Sequence, residues 1–207
     1  MTNHPDITLY GGSLSGHSHR VELFLHLLRL PHRFVEVTAS ERREAWFQAM
    51  NPLAQIPVLK DGETALADSN AILLYLALRY DAARQWLPED PAAAARVQRW
   101  LSVAAGEVMH GPATARLIAL FGAPLDLARA RAIAARLLAF MDGHLAGHTF
   151  LAAARPTIAD LACYSYVAHA PEGGVSLDPH PAVRAWLSRI EALPGFRPMP
   201  RSALPVA

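Results

Sequence analysis

The sequence predicts a two-domain chain: an α/β domain of order β-α-β-α-β-β-α, followed by an all-α domain. Three observations predict it. Residues 1–80 alternate strand-like and helix-like apolar spacing. A polar, proline-bounded stretch, Pro88-Glu89-Asp90-Pro91, then interrupts the pattern. Beyond it the apolar positions recur with helical period, and no internal repeat or low-complexity tract intervenes. The expected boundaries are 1–80 for the first domain, 81–90 for a linker and 91–207 for the helical domain.

Ile7 to Tyr10 reads as the first strand, and Gly11 to Gly16 as a flexible loop that opens a helix. Val21, Phe24, Leu25 and Leu28 stand at i, i+3, i+4 and i+7, one helix face that ends before Pro31. Arg33 to Val37 supplies a second strand, joined to the first by a helix and therefore expected to cross over right-handed. A helix is expected from about Glu41 to Met50. Asn51 to Leu76 then packs an apolar strand (Val58, Leu59), an Asp61-Gly62 hairpin turn, a short strand (Glu63 to Leu66) and a helix start at Asp68-Ser69.

In the second domain, Val97, Trp100, Leu101, Ala104 and Val108 form one helical stripe. Ala130, Ala134, Leu137, Met141 and Leu145 form another, and Val183, Trp186, Leu187 and Ile190 a third. Thr157 followed three residues later by Asp160 is a capping-box pattern opening an apolar helix. The tail Pro198 to Ala207 is expected to lie loose or over the surface.

The chain has 207 residues, 52% of them hydrophobic, enough for a sizeable core. Nineteen basic and eighteen acidic residues give a formal charge of +1 without a dense basic run, so nucleic acid is not an expected partner. The single cysteine, Cys163, excludes an internal disulfide framework, suits a reducing compartment, and sits in an apolar helical run where a small buried hydrophobe is expected. The opening MTNHPD resembles no signal peptide, and no apolar run approaches the roughly 20 residues needed to span a bilayer. A cytoplasmic location without membrane association is expected.

Pro57 stands beside a strand pattern although it has no N–H for a ladder. A cis Ile56–Pro57 bond would turn the chain and leave the Ile56 N–H and C=O to pair with an extended peptide ligand. The helix start after Asp68 and Ser69 is a ready anion site, with free N–H groups and a favourable dipole. Other chemistries are excluded. Gly12-Ser13-Leu14-Ser15-Gly16 puts Leu14 where a hydrolase elbow needs serine, and the Gly-Lys-Ser/Thr ending of a phosphate loop is missing. His17 and His19 are isolated and no Cys/His cluster is visible, so no metal is expected.

The loop around Ser13 to Ser18, Gln55-Ile56-Pro57, Asp68-Ser69 and the Thr157/Asp160 box stand in the order found in the soluble glutathione transferases, and the resemblance covers nearly the whole chain. It looks closest to serine-type members of bacterial style. The resemblance implies a thioredoxin-like first domain, glutathione as cosubstrate, a small hydrophobic electrophile as second substrate, and a homodimer. Ser15 stands in the family's activating position, with Ser13 as runner-up and Ser18 in the first helical turn; the alternative for Ser15 is a plain helix cap. His17 stands where related sequences often have Asn, and an imidazole there would titrate near neutral pH and exchange a proton or hydrogen bond with the sulfur, unless it is simply a surface histidine.

The resemblance assigns the Ile56 backbone, beside Pro57, to the cysteinyl moiety, Asp68 to the γ-glutamyl ammonium, Ser69 to its carboxylate, and Gln55 and Asn70 to secondary contacts. Plain N-capping is the alternative for Asp68 and Ser69. The electrophile is expected against the helix bearing Glu107, Met109, His110 and Arg116, with Met109, His110 and Arg116 as pocket candidates. Glutathione-dependent disulfide or peroxide reduction, and a non-catalytic binding or regulatory protein of the same fold, are the other readings. Cysteine-dependent reduction is disfavoured, because no cysteine lies near Ser15.

Overall fold

A β-α-β unit of β1 (Ile7–Gly11), α1 (Gly16–Leu27) and β2 (His32–Glu36) begins the fold, the two strands lying parallel with Leu9 opposite Phe34. The computed structural model describes residues 6–202; residues 1–5 of the MTNHPD opening, and residues 203–207 of the tail expected to be loose, lie outside the described residues. The chain divides into two compact units, Met1–Ala83 with Pro194–Pro200 and Arg84–Leu193 with Arg201–Ala207.

In the first unit the four strands run in the order β2-β1-β3-β4, with β3 (Val58–Asp61) and β4 (Thr64–Ala67) forming the antiparallel hairpin expected around Asp61-Gly62. Gly62 has φ +56, a backbone conformation that costs glycine little. β1 pairs with β3 antiparallel. One side of the sheet buries Val37, Phe47 and Val58, with Tyr10, Val35, Met50 and Ile56 packed around them. Val21, Phe24 and Leu25 of α1 and Ile72, Leu73 and Leu76 of α3 (Ser69–Tyr80) are fully buried, and the two helices pack together. The element order is the expected one, and this is a thioredoxin-like domain.

The helix expected from Glu41 to Met50 is broken. A 3-10 turn at Glu41–Arg43 is followed by extended backbone at Glu44 (ψ 152) and a short α2 (Ala45–Gln48). The Glu41 carboxylate reaches back to the N–H and hydroxyl of Thr38 at 2.8 and 2.6 Å, which stabilises the tight turn over a continuing helix. The segment Pro194–Pro200 belongs to the first unit: Met199 is buried, and His19 Nε2 donates to the Arg197 carbonyl at 2.8 Å. That part of the tail is fastened.

The second unit is helical: α4 (Pro91–Val103), α5 (Thr114–Phe121), α6 (Leu127–Leu145), α7 (Ile158–Ala168) and α8 (Pro181–Glu191). The stripes read from the sequence are buried at Val97, Trp100, Ala104 and Val108, at Ala134 and Met141, and at Val183, Trp186 and Ile190. Between α4 and α5 the chain forms a π-helical segment, Ala104–Ala113, which periodicity did not indicate. Pro112 has no N–H to offer the Val108 carbonyl in an α pattern, and the wider turn bypasses that position. Thr114 closes the segment by donating its hydroxyl to the Met109 carbonyl at 2.8 Å.

Asp160 anchors α7. Its Oδ2 accepts from the Thr157 N–H at 2.8 Å and the Thr157 hydroxyl at 3.1 Å, and its Oδ1 from Leu151 N–H and Trp186 Nε1–H, both at 2.9 Å. Cys163, next in that helix, is fully buried as a small hydrophobe. No helix among the described residues is long and apolar enough to cross a membrane.

Candidate active site

Ser15 is the N-cap of α1, held by its own N–H on the Gly12 carbonyl at 2.9 Å and accepting the Ser18 N–H at 3.3 Å through Oγ. A hydroxyl that accepts a cap bond still carries its proton, so the capping role and a donor role are compatible. Ser13 and Ser18 are occupied differently. Ser13 gives its N–H to the Glu36 carboxylate at 3.0 Å and its hydroxyl to the same group at 3.4 Å. Ser18 is fully buried, and its Oγ accepts the Gly12 N–H at 3.1 Å, which fixes the loop from beneath.

The Ile56–Pro57 bond is cis, and β3 starts at Val58, so Ile56 stands outside the ladder. Buried Asn51 builds this loop: its side chain donates to the Gln55 carbonyl at 2.9 Å and accepts the Leu53 N–H at 3.2 Å. Gln55 itself is exposed. A Cβ added at Gly12 would stand 3.1 Å from Ile56 Cδ1 and 3.8 Å from Ser15 Cβ. The serine loop and the proline loop therefore meet at Gly12, where a side chain would crowd Ile56.

Asp68 caps α3, with Oδ1 accepting from the N–H groups of Asn70 and Ala71, both at 2.9 Å. Its φ of +70 is a conformation of about 1–3 kcal/mol cost that persists only where the surroundings enforce it. The side chain is exposed and both cap bonds fall on Oδ1, so Oδ2 can still accept from an ammonium. Ser69 is buried at the first position of the helix. Behind it lies Arg20, also buried, whose Nη1 donates to Ser69 Oγ at 3.3 Å and Asn70 Oδ1 at 3.0 Å.

His17 Nδ1 lies 3.3 Å from Ser69 Oγ. Ser69 Oγ accepts from Arg20 and keeps its own proton, which is available to His17 Nδ1 when the imidazole carries its proton on Nε2. Desolvation, with the Arg20 guanidinium alongside, pushes the His17 pKa down to about 3. The imidazole is therefore neutral at physiological pH, which corrects the expectation that it titrates near neutrality.

In the second unit Met109 is half-buried and His110 exposed, both on the π-helical segment. Arg116, expected among the electrophile-facing residues, is instead 1% exposed, and its Nε donates to Glu172 Oε2 at 2.6 Å. Glu172 also accepts from His169 Nδ1 at 2.7 Å, so Arg116 closes a buried ion network inside the helical unit. A buried guanidinium needs such a partner, and the partner fixes where it can point.

Sequence reading missed Arg20, Asn51 and Glu36, the buried or loop-facing groups that hold the serine loop and the α3 start. It also missed that Glu22, His26 and His32 offer ligand atoms within 4.8 Å of one another, at the far end of α1. Glu22 and His26 are four residues apart on one helix face, the one signal in the sequence that bears on this group.

A thioredoxin-like domain with a serine at the first helix start, a cis-proline loop and an acid-serine helix cap, joined to an all-helical domain, defines the class. The chain belongs to the glutathione S-transferase family. The family model of the glutathione S-transferase N-terminal domain matches residues 14–79, and that of the C-terminal domain residues 124–194. Glutathione S-transferase 3 of Zea mays is 32% identical over 92% of this chain and 91% of its own length. Glutathione S-transferase GstB of Escherichia coli is 28% identical over 92% of this chain and 96% of its own. Among solved structures, a glutathione S-transferase from Pseudomonas fluorescens superposes with a TM-score of 0.88 at 30% identity, covering 93% of this chain and 98% of that one. A glutathione transferase homologue from Drosophila mojavensis, solved with bound glutathione, has a TM-score of 0.83 at 26% identity, covering 92% and 89%.

Proposed function

We propose that this glutathione S-transferase binds glutathione in its first domain, residues 1–80, and presents the thiolate from Ser15 to a small hydrophobic electrophile held by the helical domain, residues 91–207. The Ser15 hydroxyl donates to the sulfur, and the N–H groups of the first turn of α1 add a favourable dipole. The Ile56 backbone takes the cysteinyl part, beside Pro57 and Gln55. Asp68 Oδ2 receives the γ-glutamyl ammonium, and Ser69 at the α3 N-terminus receives its carboxylate, with Asn70 and the Arg20 charge behind it. Met109 and His110 border the electrophile. Neutral His17 orients Ser69, and the proton leaves the thiol to solvent.

The observation that supports this reading most is the meeting of the Ser15 loop and the Ile56 loop at Gly12. Leu74 and Leu78, exposed one turn apart on α3 at 37% and 54%, fit an apolar contact in a homodimer. We place the conjugation in the cytoplasm, a reading that the single cysteine, suited to a reducing compartment, supports. Calorimetric titration of the chain with glutathione tests the reading: saturable binding is expected, and its absence at millimolar concentration overturns it.

A further inference from the structure

Apart from the candidate active site, the first unit gathers a second set of chemically able side chains. Glu22 and His26 stand on successive turns of α1, and His32 is the first residue of β2. Each offers one ligand atom, a carboxylate oxygen or an imidazole nitrogen, within 4.8 Å of the other two. The two imidazole rings meet edge to face with centroids 5.0 Å apart. All three side chains are half-buried, so they are held in place yet reachable from solvent.

His32 is already prepared as a ligand. Its Nδ1 lies 2.9 Å from the Leu30 carbonyl, and a carbonyl only accepts, so Nδ1 carries a proton and the neutral ring presents its lone pair on Nε2. A backbone carbonyl on the second nitrogen is the usual outer partner of a metal-bound imidazole. We propose that Glu22, His26 and His32 form a binding site for a divalent transition-metal ion of the zinc type. Two imidazoles and one carboxylate select such an ion over magnesium or calcium, which prefer oxygen sets.

Zinc bonds of about 2.0–2.1 Å place tetrahedral donor atoms about 3.3 Å apart, so the three side chains close by about 1–2 Å around the ion. Three protein ligands leave a position for water. The ion ties the last turn of α1 to the start of β2 across the short Leu28–Pro31 connection. His26 is eleven residues beyond Ser15 on α1, about 16 Å along the axis, so the site is separate from the proposed thiolate position. Glu22 and His26 also line an open groove of ≈ 370 Å³ that extends past Glu36 and Arg197 to Ser13.

The test is calorimetric titration of the chelator-stripped full chain with Zn2+, with Mg2+ as competitor. Saturable binding of one ion is expected, unaffected by Mg2+, and weakened at least about tenfold in His26→Gln and in His32→Gln, since even outer partners of a ligand are worth 10–100-fold. His148→Gln serves as the control, because His148 stacks on His144 at 4.2 Å in the other unit and belongs to no such group among the described residues. Far-ultraviolet dichroism of the metal-free variants checks folding. If a histidine variant does not fold, Glu22→Gln, nearly isosteric, and the Zn2+-induced shifts of the His26 and His32 ring nitrogens in the unmodified chain decide the question. No saturable binding, binding unchanged in the folded ligand variants, or ring signals that do not move each overturn the proposal.

Discussion

His17 Nδ1 and Ser69 Oγ, 52 residues apart in sequence, lie 3.3 Å apart and join the first turn of α1 to the first turn of α3. The burial of His17 beside Arg20 has a consequence for stability. Desolvation and Arg20 hold His17 at about 3, against 6.5 for an ordinary histidine. Between these values the unfolded chain binds a proton that the folded chain does not. His17 therefore contributes stability that is present above pH 6.5 and is lost as pH falls towards 3, at no more than about 1.4 kcal/mol per pH unit. His26, His144 and His169 are also shifted down, chiefly by desolvation, and act with the same sign. The diagnostic quantity is thus the difference from a variant: in urea denaturation His17→Asn should flatten the profile, gaining on the wild type as pH falls from 7 to 4. Parallel profiles would show that His17 titrates alike in both states.

Ser15 sits where capping and catalysis overlap, so its removal should show in two independent measurements. Ser15→Ala deletes the acceptor of the Ser18 N–H, at a cost of about 1 kcal/mol. If the hydroxyl also donates to the bound sulfur, the apparent thiol pKa of bound glutathione should rise by about one or two units, since a charge-assisted bond is worth roughly 1.5–3 kcal/mol and one unit is 1.36 kcal/mol. Thiolate ultraviolet absorbance against pH, on glutathione-saturated protein, reads this directly. A stability loss with no change in thiol pKa would reduce Ser15 to a cap and remove it from the chemistry.

The sequence disclosed what local rules control. The periods of β1, α1 and the helical stripes, the Asp61-Gly62 turn, and the caps at Ser15, Asp68 and Thr157 each depend on neighbours within a few residues. The resemblance then gave these features roles. Arg20, Glu36 and Arg116 were not legible, because a charged residue in a helix or strand pattern reads as solvent-facing until the fold supplies its partner: Ser69 and Asn70 for Arg20, the Ser13 N–H for Glu36, and Glu172 for Arg116. The displaced pKa of His17 was hidden for the same reason, since desolvation is a tertiary property. The break at Glu44 and the π-helical segment escaped because a tight turn from Thr38 to Glu41 and a proline bypassed by a wider turn keep nearly the same apolar spacing as unbroken helix.

Asp160 carries the clearest prediction about folding, because its carboxylate is fully buried yet accepts from three donors besides the Thr157 hydroxyl: the N–H groups of Leu151 and Thr157 and the Trp186 indole. Burial pushes its pKa up, and the donors pull it back. Asp160→Ala would strand those donors in a dry interior, so a loss of roughly 3–5 kcal/mol is expected, far above a surface substitution. Thr157→Ala should cost about 1 kcal/mol, up to about 2, as an N-cap loss. Trp186→Phe, which keeps most of the ring and removes one donor, should cost about 1–2 kcal/mol. The three groups share one carboxylate, so the costs should not add. Once Asp160 is alanine the Thr157 hydroxyl has lost its partner, and the double variant should be little worse than Asp160→Ala alone. Denaturant midpoints of the two single variants and the double variant measure this. Additive losses, or an Asp160→Ala cost within about 1 kcal/mol of zero, would mean that α7 is fixed by the packing of Ile158, Leu161 and Trp186 and not by this carboxylate.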